Sequence, residues 1–293
     1  MSEITGKAKR YDGTPIDYVS LFDWQSGDCI ARVVPDAQGN WSHEHFADLS
    51  CGITYVADGC EPITHGEYFF EHIGGDYWLN TVLLLKLDGS AADATGKCVL
   101  TPVGTGVSFA SGRFGSALKL APLSSTNPSG LLESTVSNPE LSLDAGDFTI
   151  ELFVNPSAKT TQNDQVLLSF FKTHNYAGWQ LLLSGLKLNA YKYDNGGSTF
   201  LKSANALTTD AWHHVAWCRK SGVSTLYING VATSSATDSS NYSSKDIELS
   251  IGYQEYGAAR YPFTGLLDEI RITKGVARYK ADFTPPDAPF KVG

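Results

Sequence analysis

Apolar and polar side chains alternate with a period of two through most of the chain. In GDFTIELFVNP, Phe148, Ile150, Leu152 and Val154 fall on one side and Thr149, Glu151 and Phe153 on the other. That is the pattern of a β-strand. Residues 82–85 are continuously apolar, which predicts a strand covered on both faces. GWQLLLSGLKLNAYKYDNGG reads as two strands around a Ser184-Gly185 turn. AWHHVAWCRKSGVSTLYINGV reads as a hairpin turning at Lys220-Ser221-Gly222, followed by an Asn229-Gly230 turn. IELSIGYQ and FTGLLDEIRIT complete the set. Helical periodicity is almost absent.

The first 70 or so residues show shorter strands separated by Asp12-Gly13, Ser26-Gly27 and Gln38-Gly39-Asn40 turns. The expected architecture is all-β: a small antiparallel β-sandwich over residues 1–72, a linker over 73–80 containing Gly74-Gly75, and a jelly roll over 81–293.

One position breaks the pattern. In the closing stretch GLLDEIRIT, alternation puts Leu266, Ile270 and Ile272 on one face and Glu269, Arg271 and Thr273 on the other. Asp268 then falls among the apolar residues. A buried carboxylate needs a partner, so either backbone N–H groups or a cation must meet it.

Composition narrows the function classes. The chain has 293 residues, 42% hydrophobic and 18% charged, with 22 basic and 31 acidic residues and a net charge of -9. That balance argues against a general nucleic-acid-binding surface. No apolar run reaches the roughly 18 residues needed to cross a bilayer, so no membrane insertion is expected. The start, MSEITGKAKRYDG, has no apolar signal region, and synthesis in a cytoplasm is the expectation. The sequons Asn40-Trp41-Ser42 and Asn241-Tyr242-Ser243 are therefore read as chance matches. Five cysteines (Cys29, Cys51, Cys60, Cys98 and Cys218) contain no CxxC pair, which disfavours a zinc site or a disulfide framework. They read as buried thiols, with a Cys51–Cys60 bridge as the alternative for that pair.

No catalytic motif is present. Glycoside hydrolysis needs two carboxylates facing each other across a cleft; Glu151 stands alone on its strand, and Asp268 and Glu269 point opposite ways. His213 and His214 are adjacent in a strand, so they cannot share one ion and read as packing residues. The chain is expected not to be an enzyme. Candidate ligand contacts are the tyrosines of three loop-like segments, Tyr191, Tyr193, Tyr242, Tyr253, Tyr256 and Tyr261. Their rings could stack on sugars beside Asn, Asp and Gln side chains.

Several ordered motifs resemble known families. Residues 6–27, with DGTPI and VSLFD, and then DAQGNW resemble the carboxypeptidase regulatory-like module, which implies an anchoring or spacer role. VLLLKLDG, DATG, RFGSALKL, GDFTIELFV, WHHVAWCR, LYINGV and FTGLLDEIRITKGVARY followed by FTPP resemble a laminin G-like, concanavalin A-like jelly roll. The closing DEIRITKGVARYKADFTPPDAPF and the joint GGDYWLNTVLLL are similar to the version found in virion proteins of tailed bacteriophages.

The resemblance implies a non-enzymatic virion structural protein: a capsid decoration, tail-fibre or baseplate component. Its partners would be other virion proteins and host-surface glycans, and its assembly a homo-oligomer, trimer or higher. A bacterial lectin or adhesin is the alternative, and a glycoside hydrolase of the superfamily a third reading. Members of this superfamily often hold a structural calcium with an aspartate of the last strand. Asp268 occupies the matching position, and Asp88 and Asp93 near the first strand of the jelly roll could add oxygen ligands.

Overall fold

The computed structural model describes residues 2–7, 17–23, 29–38, 40–45, 51–56, 63–68, 77–78, 80–104, 106–121, 131–134, 138–158, 163–172, 175–194, 198–243, 248–256 and 259–292. The chain separates into two units, Met1–Leu79 and Asn80–Gly293.

The first unit contains β1 (Ser2–Lys7), β2 (Tyr18–Asp23), β3 (Cys29–Val33), β4 (Asn40–His45), β5 (Cys51–Val56) and β6 (Ile63–Tyr68). β1 pairs with β4, and the other four form an antiparallel sheet in the order β3-β2-β5-β6. Val19, Leu21 and Trp41 are buried. Before β4, the Asp36 carboxylate accepts the Gln38 and Asn40 N–H groups at 2.8 Å each, closing the turn. The Gly74-Gly75 joint, the side chain of Cys51 and all of Cys60 lie outside the described residues.

The second unit contains β7 (Thr81–Leu85), β8 (Leu100–Val103), β9 (Val107–Ser111), β10 (Ser116–Leu120), β11 (Leu131–Ser134), β12 (Phe148–Pro156), β13 (Asp164–Lys172), β14 (Asn175–Ser184) and β15 (Lys187–Asp194). It continues with β16 (Ser198–Ala206), β17 (His213–Lys220), β18 (Val223–Ile228), β19 (Val231–Thr237), β20 (Leu249–Ile251), β21 (Glu255–Tyr256), β22 (Ala259–Arg260) and β23 (Gly265–Lys274). One sheet has the order β19-β18-β17-β12-β23-β10-β9, with β7 also on β23; the other runs β16-β15-β14-β13-β20-β11-β8. All pairings are antiparallel. Their inner faces meet in one apolar core that includes Phe148, Trp217, Phe170, Trp179 and Phe263. Truncating any of these rings to Ala would cost about 3–5 kcal/mol.

β23 corrects the simple alternation. It pairs with β10 over its first half and with β7 over its second. Between the halves Glu269 takes a left-handed φ of 49°, and the register against β12 shifts. This bulge reverses the parity of the strand. Leu267 therefore joins Ile270 and Ile272 in the core, while Asp268 lies opposite Phe153 and on the same outer face as the Glu151–Arg271 pair. That outer face is not wet either. Glu269, Arg271 and Thr273 are at most 5% exposed, because residues 275–292 lie over them.

Candidate functional site

The outer face of the seven-stranded sheet carries a cross-strand polar row. Its register runs Thr101, Glu133, Ser250, Ser169, Gln180, Tyr191 and Thr199, one residue from each strand. The adjacent row is apolar: Leu132, Ile251, Leu168, Leu181, Ala190 and Leu201 face the core, and the row ends at an exposed Pro102. Period-two alternation on every strand, brought into register, produces this division. At the centre of the polar row, Gln180 Nε2 donates to Ser169 Oγ at 2.9 Å, and Ser169 donates to Gln254 Oε1 at 2.6 Å. Ser169 and Gln180 are buried, while Thr101 is exposed and Glu133, Ser250 and Tyr191 are partly exposed. Gln254 brings the segment carrying Tyr253, Tyr256 and Tyr261 alongside: Tyr261 N donates to Gln254 O at 2.9 Å.

The six tyrosines therefore part company. Tyr191 belongs to the polar row, with Tyr193 two residues on along β15 opposite Gly178; the side chains of Tyr193 and Tyr256 lie outside the described residues. Tyr261 is partly exposed. Tyr253 and Tyr242 are buried, 7% and 1% exposed, contrary to their reading as loop-borne contact faces. Tyr242 packs edge-on against Phe148 and Trp217 and donates its hydroxyl to Asp238 at 3.0 Å. Burial pushes that phenol far above its ordinary pKa, and the Asp238 charge adds to the shift. It is a core residue.

Asp268 sits where the partner of β23 changes from β10 to β7. Its Oδ2 accepts the Arg113 and Phe114 N–H groups, at 2.8 and 3.0 Å, in the turn between β9 and β10. Asp88, just past β7, accepts Ser116 N at 2.7 Å from the other side of that turn. A break in the ladder leaves N–H groups without strand partners, and the two carboxylates supply them. Glycine is required at Gly115, where φ is +60° and a Cβ would collide with Asp88 Oδ1.

Asp93 does not join this pair. Its oxygens accept Leu84 N, Thr95 N, Thr95 Oγ1, Lys97 N and Cys98 N, at 2.6 to 3.1 Å, and so close a separate turn. Among the described residues no group of three or more His, Cys, Asp or Glu side chains is placed to hold a metal, so the three-aspartate set does not form. Asp268 Oδ1, however, is buried with no hydrogen-bond partner. Burial, aided by the neighbouring Glu269 charge and opposed by the Phe114, Arg113 and Glu269 N–H groups, pushes the carboxyl up to about 6. A buried carboxylate oxygen without a hydrogen-bond partner fits a cation that also takes backbone carbonyls.

A heavily partnered buried carboxylate escaped the sequence reading. Glu151 is fully buried on the outer face of β12. Its Oε1 takes Arg271 Nε and Nη2 at 2.8 Å each, and its Oε2 takes His214 Nε2 at 3.1 Å and the Tyr279 hydroxyl at 2.6 Å. Burial acts to raise its pKa, but Arg271, His214 and Arg278 outweigh that and hold the carboxylate well below its usual range. Around it the C-terminal segment is tied down: Arg278 Nε donates to Thr273 Oγ1 at 2.6 Å, Phe290 N to Glu269 Oε2 at 2.9 Å, and Lys86 Nζ to Phe290 O at 2.7 Å. Arg271 lies 3.7 Å over the Phe290 ring. The sequence signal was Glu151 and Arg271 on adjacent strands, visible only once the register is known.

Solved structures share this sandwich. Domain 4 of AbnA, a GH43 extracellular arabinanase of Geobacillus stearothermophilus solved with arabinotriose, aligns with a TM-score of 0.51 at 20% identity, over 67% of this chain and 93% of that one. The binding domain of Paraclostridial Mosquitocidal Protein 1 aligns with a TM-score of 0.54 at 16% identity, over 69% and 51%. The binding domain of botulinum neurotoxin serotype C1 gives 0.53 at 13% identity, over 69% and 51%. The chain thus spans about half the length of both toxin structures. At these identities the likeness is one of fold. No curated protein matches by sequence. A profile described as the concanavalin A-like lectin/glucanases superfamily, Laminin_G_3, matches residues 131–278. With that match covering half of its length and the two-sheet sandwich beneath it, the chain belongs to the concanavalin A-like lectin/glucanases superfamily.

Proposed function

We propose that this chain is a non-enzymatic carbohydrate-binding structural protein of a bacteriophage particle, with the second unit presenting the binding face. The cross-strand polar row carries the reading. Sugar recognition combines an aromatic surface with a few fixed donors and acceptors. Tyr191 offers the ring, and Glu133, Ser250 and Thr101 offer polar groups along the same face. The buried Gln180–Ser169–Gln254 relay holds the centre of the row rigid. A relative of the same fold solved with arabinotriose, and two that are toxin binding domains, favour binding over catalysis. So does Glu151, whose two oxygens are engaged by Arg271, His214 and Tyr279, leaving it unsuited to proton transfer.

The particle setting rests on the likeness of the closing stretch to tailed-phage virion proteins. In that setting the partners are other virion proteins and host-surface glycans, and the assembly is a symmetric homo-oligomer, trimer or higher. A calcium ion belongs to the proposal as a structural group held by Asp268 and Asp88, without Asp93. It would neutralise the orphaned carboxylate oxygen at the β7–β10 junction.

A glycan array followed by titration of the best ligand tests the binding role. Tyr191→Ala should weaken that ligand about tenfold or more. Unchanged affinity in that variant, or no glycan bound at all, would remove the sugar-binding role. Absence of the chain from purified particles would remove the virion setting alone.

A further inference from the structure

We propose that the outer edge of β9 pairs with the same edge of a second copy of this chain, antiparallel and centred on Phe109. The contact goes beyond the glycan-binding reading and does not depend on it.

A strand edge offers unpaired N–H and C=O groups, and monomeric proteins close or blunt such edges. The two large sheets of the second unit leave edges at β19, β7, β16, β8 and β9. The first four are closed or blunted. At β19, Ala232 N donates to Asp282 Oδ1 and Phe283 N donates to Gly230 O, each at 2.9 Å, so the C-terminal segment covers the start of the strand. At β7, Leu84 O accepts Ala94 N at 2.8 Å and Leu84 N donates to Asp93 Oδ1 at 2.9 Å. β16 is bulged against β15 and carries an exposed Lys202. β8 carries Pro102, which has no N–H to give. β9, with the sequence VSFAS, has no lysine and no proline and runs without a bulge along β10. Among the described residues no strand pairs with its outer edge.

That edge matches itself. Gly112 N donates to Gly115 O at 2.9 Å in the turn to β10, and antiparallel pairs alternate between bonded and unbonded. Ala110 and Ser108 therefore bond to β10 opposite Ala117 and Lys119, while Val107, Phe109 and Ser111 point their N–H and C=O groups outward. A two-fold axis at Phe109 sets Phe109 against Phe109 of the second copy, and Val107 against Ser111. Every outward group is then satisfied, with about six inter-chain hydrogen bonds. Val107 and Phe109 pack on the core but are only partly buried, and the pairing covers what remains of their apolar surface.

Charge selects a second copy as the occupant. Residues 102–112, PVGTGVSFASG, hold no charged side chain, in a chain whose net charge is -9. Two copies can meet there with no like charges opposed, and a strongly acidic or basic partner would find nothing to pair with. A strand this short buries less than a standard interface, so the expected dissociation constant is about 0.1 mM. The two-fold contact makes the homo-oligomer even-numbered.

Sedimentation equilibrium of the full chain from about 1 μM to about 1 mM tests the contact. In this register Ser108 lies opposite Ala110 of the second copy. The double variant Ser108→Lys/Ala110→Lys opposes like charges on both sides of the axis and should weaken dimerisation about tenfold or more. Ser108→Lys/Ala110→Glu opposes unlike charges and should dimerise at least as well as the parent chain. The two variants add similar bulk, so they should melt alike at low concentration, and the difference between them reads the charge across the axis. A parent chain that stays monomeric throughout, as it would if the edge served a strand of a different protein, would overturn the proposal. So would an oligomer that neither variant alters, or equal weakening by both.

Discussion

The hydroxyl of Tyr279 donates a 2.6 Å hydrogen bond to Glu151, a carboxylate with no exposure to solvent. The bond ties the C-terminal segment to the middle of the eight-stranded sheet. It joins residues 128 positions apart in sequence, and Arg271 and His214 converge on the same two oxygens.

Acid stability should report this cluster. Glu151 has a depressed folded pKa, against a value of 4.5 for the free side chain. Its unfolded form binds the proton more readily, so the stability it contributes is present above about 4.5 and lost as pH falls toward the folded value. Urea denaturation of Glu151→Gln should show about 3–5 kcal/mol lost near neutral pH, because Arg271 is left buried without its partner. The variant should also show a shallower loss of stability below pH 4.5. A slope identical to that of the parent chain would show that the cluster does not control acid unfolding.

The β7–β10 junction separates two roles for Asp268. Asp268→Ala strands the Arg113 and Phe114 N–H groups and should cost about 1–3 kcal/mol for each donor left unpaired. Asp268→Asn keeps an acceptor for them and should lose much less. If calcium sits at Asp268 Oδ1, calcium should raise the melting temperature of the parent chain and of Asp93→Asn, but not of Asp268→Asn. Equal melting with calcium and with EDTA in the parent chain would dispose of the metal.

Two tyrosines of the original six should behave oppositely. Tyr242→Phe removes the bond to Asp238 and should destabilise the fold by about 1–3 kcal/mol, with glycan affinity intact. Tyr191→Ala should weaken glycan binding about tenfold or more. The reverse assignment in calorimetry and glycan titration would misplace the site.

Thiol chemistry offers a simpler check. Cys98 and Cys218 are free and buried, and burial raises both pKa values. A thiolate is the reactive form, so both should resist a thiol reagent until the chain unfolds. Prompt labelling of Cys218 in the native protein would mean that the segment around Tyr279 opens readily.

Strand alternation was legible where each strand has one covered face, as in β14 and β15, whose Leu181 and Leu183 face the core and Gln180 and Tyr191 do not. It misled at β23. A single left-handed residue, Glu269, moved Asp268 off the face that counting assigned to it. Nothing in LLDEIRI marks that bulge, because it arises where β10 ends against β23 and β7 begins. The tyrosines show the same limit: the ring of Tyr242 in SSNYSS is part of the core, held by Phe148 and Trp217 from distant strands.

The amino-acid sequence by itself determined the all-β class, the strand-and-turn order and the superfamily, since period-two patterning and turn residues act locally. Only the tertiary structure decided which carboxylates meet which partners. Asp268 serves a turn 154 and 155 residues away, Asp93 serves its own turn, and Glu151 is completed by a segment near the other end of the unit. Those outcomes depend on register and on what covers a face, and both are set by long-range packing.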